Sequence, residues 1–155
     1  MSRSVLALVF LVGCVTDPDV DERATPATAE GIAIRVLDAG QWFRPIGCPS
    51  PDPSTCQYEG NFWVDLEIRN DAYHKVAGIV WIDTVREDPA GPWHVASARY
   101  EGPRASPFEQ WGLDVSTGGI SGIEPHPVIR FAAFVEMAGV TTWDNNGGAD
   151  HVIGQ

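Results

Sequence analysis

Phe62-Trp63-Val64-Asp65-Leu66-Glu67-Ile68-Arg69 is the stretch on which the fold turns. Its apolar residues Phe62, Val64, Leu66 and Ile68 alternate without a break with Trp63, Asp65, Glu67 and Arg69. A β-strand sends successive side chains to opposite faces, so this octet buries one face and wets the other. The same period recurs on both sides of it. Upstream, Ile32, Ile34 and Val36 alternate with Ala33, Arg35 and Leu37; downstream, Trp111, Leu113 and Val115 share a face. Residues 76–85 are apolar on both faces and read as a central strand, and 95–100 is a weaker candidate. Residues 128–136 are followed across a tight Met137-Ala138 turn by 139–143, and 151–153 closes the sheet. Helical periodicity is nearly absent. Seven or eight short strands, joined by loops that draw on 16 glycines and 12 prolines, predict an all-β antiparallel sandwich.

Outside that pattern the chain has a different character. Residues 1–13 combine Ser2-Arg3-Ser4 with an apolar run from Val5 to Val12, too short to span a bilayer and fitting for a signal peptide. The run ends in Leu11-Val12-Gly13-Cys14, which resembles a bacterial lipoprotein signal with Cys14 as the lipidated residue; an ordinary secretory signal is the alternative. Residues 14–30 hold acids, prolines, threonines and alanines with little to bury, and read as a lipid-anchored flexible tether. The module is expected over 31–155. The chain is thus expected to be exported and anchored to a bacterial membrane, facing the periplasm or the cell exterior.

The formal net charge is −11, and it becomes more negative if Arg3 is cleaved away. Such a chain repels phosphate backbones, which argues against nucleic acid as a partner, and it repels anionic lipid. Membrane attachment therefore rests on the lipid at Cys14. Cys48 and Cys56 remain as an even pair around a turn-rich segment, and in an exported protein a disulfide is expected between them.

The residues argue against catalysis. His74, His94, His126 and His151 share no metal-ligand spacing, there is no nucleophile elbow, and no cysteine is left over as a nucleophile. Acids are numerous enough for a glycosidase pair, but a short-looped domain of this size offers little cleft. No catalytic residue, cofactor or metal is expected. Six tryptophans, in contrast, are more than one small core requires, and a solvent-facing aromatic ring points to binding. Trp81 and Trp111 read as core, while Trp93 follows Gly91-Pro92 in a loop and reads as exposed.

Trp143-Asp144-Asn145-Asn146-Gly147-Gly148-Ala149-Asp150-His151 is the densest mix of aromatic and polar groups. It can be read as a hairpin turn, as a loose cation loop through Asp144, Asn146 and Asp150, or as a sugar site. The EF-hand pattern fails at Gly148 and Gln155. Saccharides present flat C–H faces ringed by hydroxyls. A tryptophan followed by carboxylate and amides on a rigid turn supplies a stacking ring with donors and acceptors around it.

Three stretches together resemble the family 21 carbohydrate-binding modules, which occur as starch-binding domains of fungal glucoamylases and glycogen-targeting domains of phosphatase-1 regulatory subunits. They are Asn70-Asp71-Ala72-Tyr73-His74-Lys75, then Arg130 to Glu136 followed by Gly139, then Trp143-Asp144-Asn145-Asn146 with Gly148 and Asp150. The resemblance covers about Asn61 to Ile153 and implies an immunoglobulin-like β-sandwich. It implies one α-glucan site with Trp93, Trp143, Asn145 and Asp150, and a second with Tyr73 and Tyr100, while Lys75 belongs to the first motif. The chain departs from the family pattern at Ala132, where some members carry a binding tyrosine, and at Asp150 and His151. The segment between Cys48 and Cys56 has no counterpart in the family.

The expected function is non-catalytic binding of an α-glucan by a surface lipoprotein. The alternative is a structural or protein-interaction lipoprotein that keeps the sandwich without the sugar.

Overall fold

The computed structural model describes residues 32–154 apart from Ile123. The signal peptide, Cys14 and the tether lie outside the described residues. Among the described residues nine strands form two antiparallel sheets: β1 (Ile34–Gly47), β2 (Gln57–Arg69), β3 (Lys75–Asp83), β4 (His94–Ser97), β5 (Arg99–Pro103), β6 (Phe108–Ser121), β7 (Ile129–Met137), β8 (Val140–Asp144) and β9 (His151–Ile153). The first sheet has the order β1-β2-β6-β5; in the second, β4-β3-β7-β8, β9 also pairs with β7. This is the predicted sandwich.

The core lies where the alternation puts it. Phe62, Val64, Leu66 and Ile68 are fully buried, against Ile79, Ile129, Phe131, Ala133 and Val135 of the second sheet. Each large apolar side chain so buried contributes about 1.5–3 kcal/mol. The Phe62 ring meets Trp81 edge-on at 5.1 Å, and Trp111 packs partly buried against the same core, as the pattern of their strands implies.

Three differences from the sequence reading have physical causes. β1 runs on to Gly47, because the aromatic Trp42-Phe43 pair extends the ladder with β2, and Pro45 is tolerated on an edge strand. The Cys48–Cys56 disulfide then closes the tip of this β1–β2 hairpin. The weak candidate at 95–100 is two strands: the chain leaves the second sheet after Ser97 and joins the first at Arg99, with Ala98 N–H donating to Ala77 O at 2.8 Å during the crossing. Lastly, β8 and β9 lie in succession along the same side of β7. Asp144 pairs with Ala133 and His151 with Phe131, so residues 145–150 are a bulge looped out of one edge strand rather than a hairpin turn.

Candidate carbohydrate-binding site

The bulge is held by its own polar residues. Asn146, Gly147, Gly148 and Asp150 all have positive φ, at 51°, 68°, 95° and 57°. Only glycine adopts such angles without strain, and Asn and Asp tolerate them best among the rest. The Asn145 side chain accepts from Gly148 N–H at 3.1 Å, and the Asn146 amide donates to Asp150 O at 3.2 Å. Asn145 and Asn146 are thus partly committed to shaping the loop.

Asp144 points inward and ties the bulge to the other sheet. One carboxylate oxygen accepts from Val36 N–H at 2.7 Å; the other lies 3.2 Å from Asn146 N–H and 3.1 Å from His151 Nε2. Burial pushes its carboxyl up, but the bonds from His151, Val36 and Asn146 and the His151 charge outweigh it and hold the group below the usual carboxylate range. A depressed folded-state pKa stabilises the fold above the unfolded value, near 4, and that stabilisation is lost as pH falls through the lower folded value. In an acid titration, Asp144→Asn is expected to remove this component of the pH dependence. An unchanged acid limb would contradict the link.

Asp150 is 6% exposed, and its Oδ2 accepts from Arg130 Nε at 2.8 Å. The Arg130 guanidinium in turn lies 5.9 Å from the centroid of Trp93. Asp150 therefore fixes the guanidinium that lies over the Trp93 ring. Arg130 opens the second of the three motif stretches, and nothing in its local sequence marks this contact. Its outward position follows from the alternation of β7, where 129, 131, 133 and 135 face the core.

Trp143 pairs with Phe134 across β7 and β8, and the rings meet at 5.4 Å and 51° on the outer face of the second sheet. Ile32, Ile34 and Arg35 approach Thr142, Trp143 and Asn145 to form an open groove of about 160 Å³. That is well below the roughly 300–1,000 Å³ of drug-sized clefts and suits one ring-sized group. Trp93 and Trp143 are half-buried and share a sheet face, but not one pocket. The strand positions beside them, Arg130 and Phe134, are roughly 13 Å apart at about 3.3 Å per residue. Ala132 lies between them and is 6% exposed.

Tyr100, expected at a second site, and Lys75 of the first motif are linked at another rim through Trp111 and Glu109. Lys75 Nζ donates to Asn70 Oδ1 at 2.8 Å and pairs with Glu109 Oε2 at 3.0 Å, with its side chain only 4% exposed. The same Glu109 oxygen accepts from Trp111 Nε1 at 3.3 Å, and Tyr100 meets Trp111 edge-on at 5.9 Å. Tyr73 stands 93% exposed, its ring edge-on to His74. Lys75 thus forms a pair inside the mouth of the sandwich, and Glu109, a partner distant in sequence, gives no signal from spacing. Among the described residues no group of three or more His, Cys, Asp or Glu side chains is placed to hold a metal ion.

The described residues thus form a two-sheet sandwich with half-buried tryptophans beside a rigid polar bulge. No family model matches the chain, and no curated protein matches it in sequence. Its fold does match solved structures. One is the starch-binding domain of Rhizopus oryzae glucoamylase in complex with β-cyclodextrin and maltoheptaose, with a TM-score of 0.51, 20% identity, and 81% of this chain and 95% of that one covered. Another is the carbohydrate-binding module of the muscle glycogen-targeting subunit of protein phosphatase-1, with a TM-score of 0.50, 13% identity, and 77% and 73% covered. These are the two kinds of domain that the three motifs resemble, and at such identities the likeness is one of fold.

Proposed function

We propose that this protein binds α-glucan without turning it over, as an exported lipoprotein held to the membrane through Cys14. The observation that carries the reading is Trp143, outward on the bulged edge strand and beside a groove of sugar-ring size. Support also comes from the fold neighbours, whose names describe starch- and glycogen-directed modules. Affinity is weak, since a shallow site gains little beyond one stacked ring and solvent-competed hydrogen bonds. A pull-down of the protein on starch granules and glycogen, with cellulose as control, tests it. Retention on the α-glucans alone is expected, and none on any of them would overturn the reading. For the anchor, Cys14→Ser is expected to move the protein from the detergent phase to the aqueous phase; unchanged partition would remove the lipid from the account.

A second reading has one observation in its favour. Val76 and Val95 are 56% and 67% exposed on the outer face that carries Trp143, which suits a protein contact. Loss of glucan retention combined with an intact fold would turn attention to it.

A further inference from the structure

The outer face of the first sheet carries aromatic rings that the glucan site does not use. Along β2, Trp63 and Asp65 point outward, because Phe62, Val64 and Leu66 are fully buried beneath. The register places Gly40 and Asp114 on either side of Trp63, and Asp38 and Gly112 on either side of Asp65. The Trp63 indole lies across Gly40: a Cβ there would come within 3.1 Å of Cε2, Cζ2 and Nε1. The missing side chain at position 40 is what lets the ring lie down against the sheet. Trp42 is next outward on β1, opposite Asn61, and is 43% exposed. Diagonal positions on paired strands sit about 7–8 Å apart, so the two indoles form neighbouring platforms.

Carboxylates rim these platforms. Asp38 directly opposes Asp65, an arrangement of like charges that destabilises a ladder. The Glu101 carboxylate reaches over Gly112, on the other side of Asp65. Burial, with repulsion from Glu101, Asp38 and Asp114, pushes the Asp65 carboxyl up against the pull of Arg104. The nearby cations are already engaged: Arg99 pairs with Asp114 at 3.3 Å, while Arg35 and Arg104 pair with Glu67 at 2.6 and 3.4 Å. Around Asp65 negative charge is in excess, beside two flat rings.

We propose that this face binds an amine-bearing saccharide chain, with Trp42 and Trp63 as stacking platforms and Asp38 and Asp65 as counter-charges. Sugar rings stack on indoles, and an ammonium group gains from both the ring face and the carboxylates. A neutral glucan leaves the carboxylate repulsion unrelieved, and a simple polyamine has no flat face to use the platforms. The surface lies on the sheet opposite Trp143, so it stands or falls independently of the glucan site.

Calorimetric titration of the purified full chain with a glucosamine hexamer, an N-acetylglucosamine hexamer and spermine tests the proposal. The glucosamine hexamer is expected to bind at least tenfold more tightly than the acetylated one. Trp63→Ala and Asp65→Asn should each weaken it tenfold or more, and Trp143→Ala should leave it unchanged. Asp65→Asn is also expected to raise Tm by removing like-charge repulsion, which keeps the test decisive if Trp63→Ala fails to fold. The proposal is overturned if the glucosamine hexamer does not bind, if both hexamers bind equally, or if Asp65→Asn leaves its affinity intact. Spermine binding as tightly as the glucosamine hexamer would also overturn it, by marking a surface for any cation.

Discussion

Trp143→Ala is expected to abolish retention on immobilised α-glucan while the sandwich stays folded. The ring packs against Phe134 on the outer face, so its removal opens no void among the fully buried residues. Its chain neighbours carry the structural bonds. Asp144 faces inward and keeps its links to Val36, Asn146 and His151 whatever stands at 143. What is lost is the apolar wall of the groove and the platform for a pyranose face. Truncating an aromatic anchor at a binding hot spot costs about 2 kcal/mol or more, roughly 30-fold in Kd, which takes a weak site below detection. Electrophoresis through a glycogen-containing gel, with circular dichroism as the fold control, reads both halves of the expectation. Wild-type mobility in the variant would remove Trp143 from the site.

Lys75→Met is expected to lower stability by about 1–3 kcal/mol, because it leaves the largely shielded Glu109 carboxylate without its counter-charge. That is a sizeable share of the 5–15 kcal/mol typical of a domain, and a fall in Tm of roughly 5–10 °C accompanies it. The double variant Lys75→Met with Glu109→Gln should recover much of the loss, since it removes both charges together. Chemical denaturation distinguishes this from a ligand-contact role. A contact residue would change glucan retention with stability held within about 0.5 kcal/mol of wild type, and that result would contradict the pair's structural importance.

The difference between these two residues shows how far motif reading reaches. Trp143 and Lys75 both belong to recognisable stretches, and both read as site residues. In the folded chain one faces solvent beside a groove and the other is closed inside the sandwich mouth. Which outcome applies depends on Glu109, more than thirty residues away, and no local pattern carries that information. Asp150 is a parallel case. Its place in the last motif suggests a ligand contact, whereas its carboxylate is spent on Arg130, which braces Trp93. Trp63 is the opposite case: it reads with Asp65 as the wet half of an alternating strand, and Gly40 and Asp38 come beside the two only across the ladder.

Alternation at Phe62–Arg69 and its recurrences along the chain marked most of the strands, the core face and the two-layer architecture, because a period of two and the hydrophobic effect act within a few residues; Glu67, on the face read as wet, is buried between Arg35 and Arg104. The turn-forming power of Asn, Gly and Asp at 145–150 was legible for the same local reason. What that turn does was not: pairing of both Asp144 and His151 with β7 makes it a bulge on an edge strand, and pairing is a relation between segments. The closure of the edge by Val36 and Asp144, the Asp150–Arg130–Trp93 relay and the acid-rimmed indoles of the first sheet likewise depend on register. Register is chosen by the packing of the whole core, since shifting one strand by a single residue would turn every buried side chain to water.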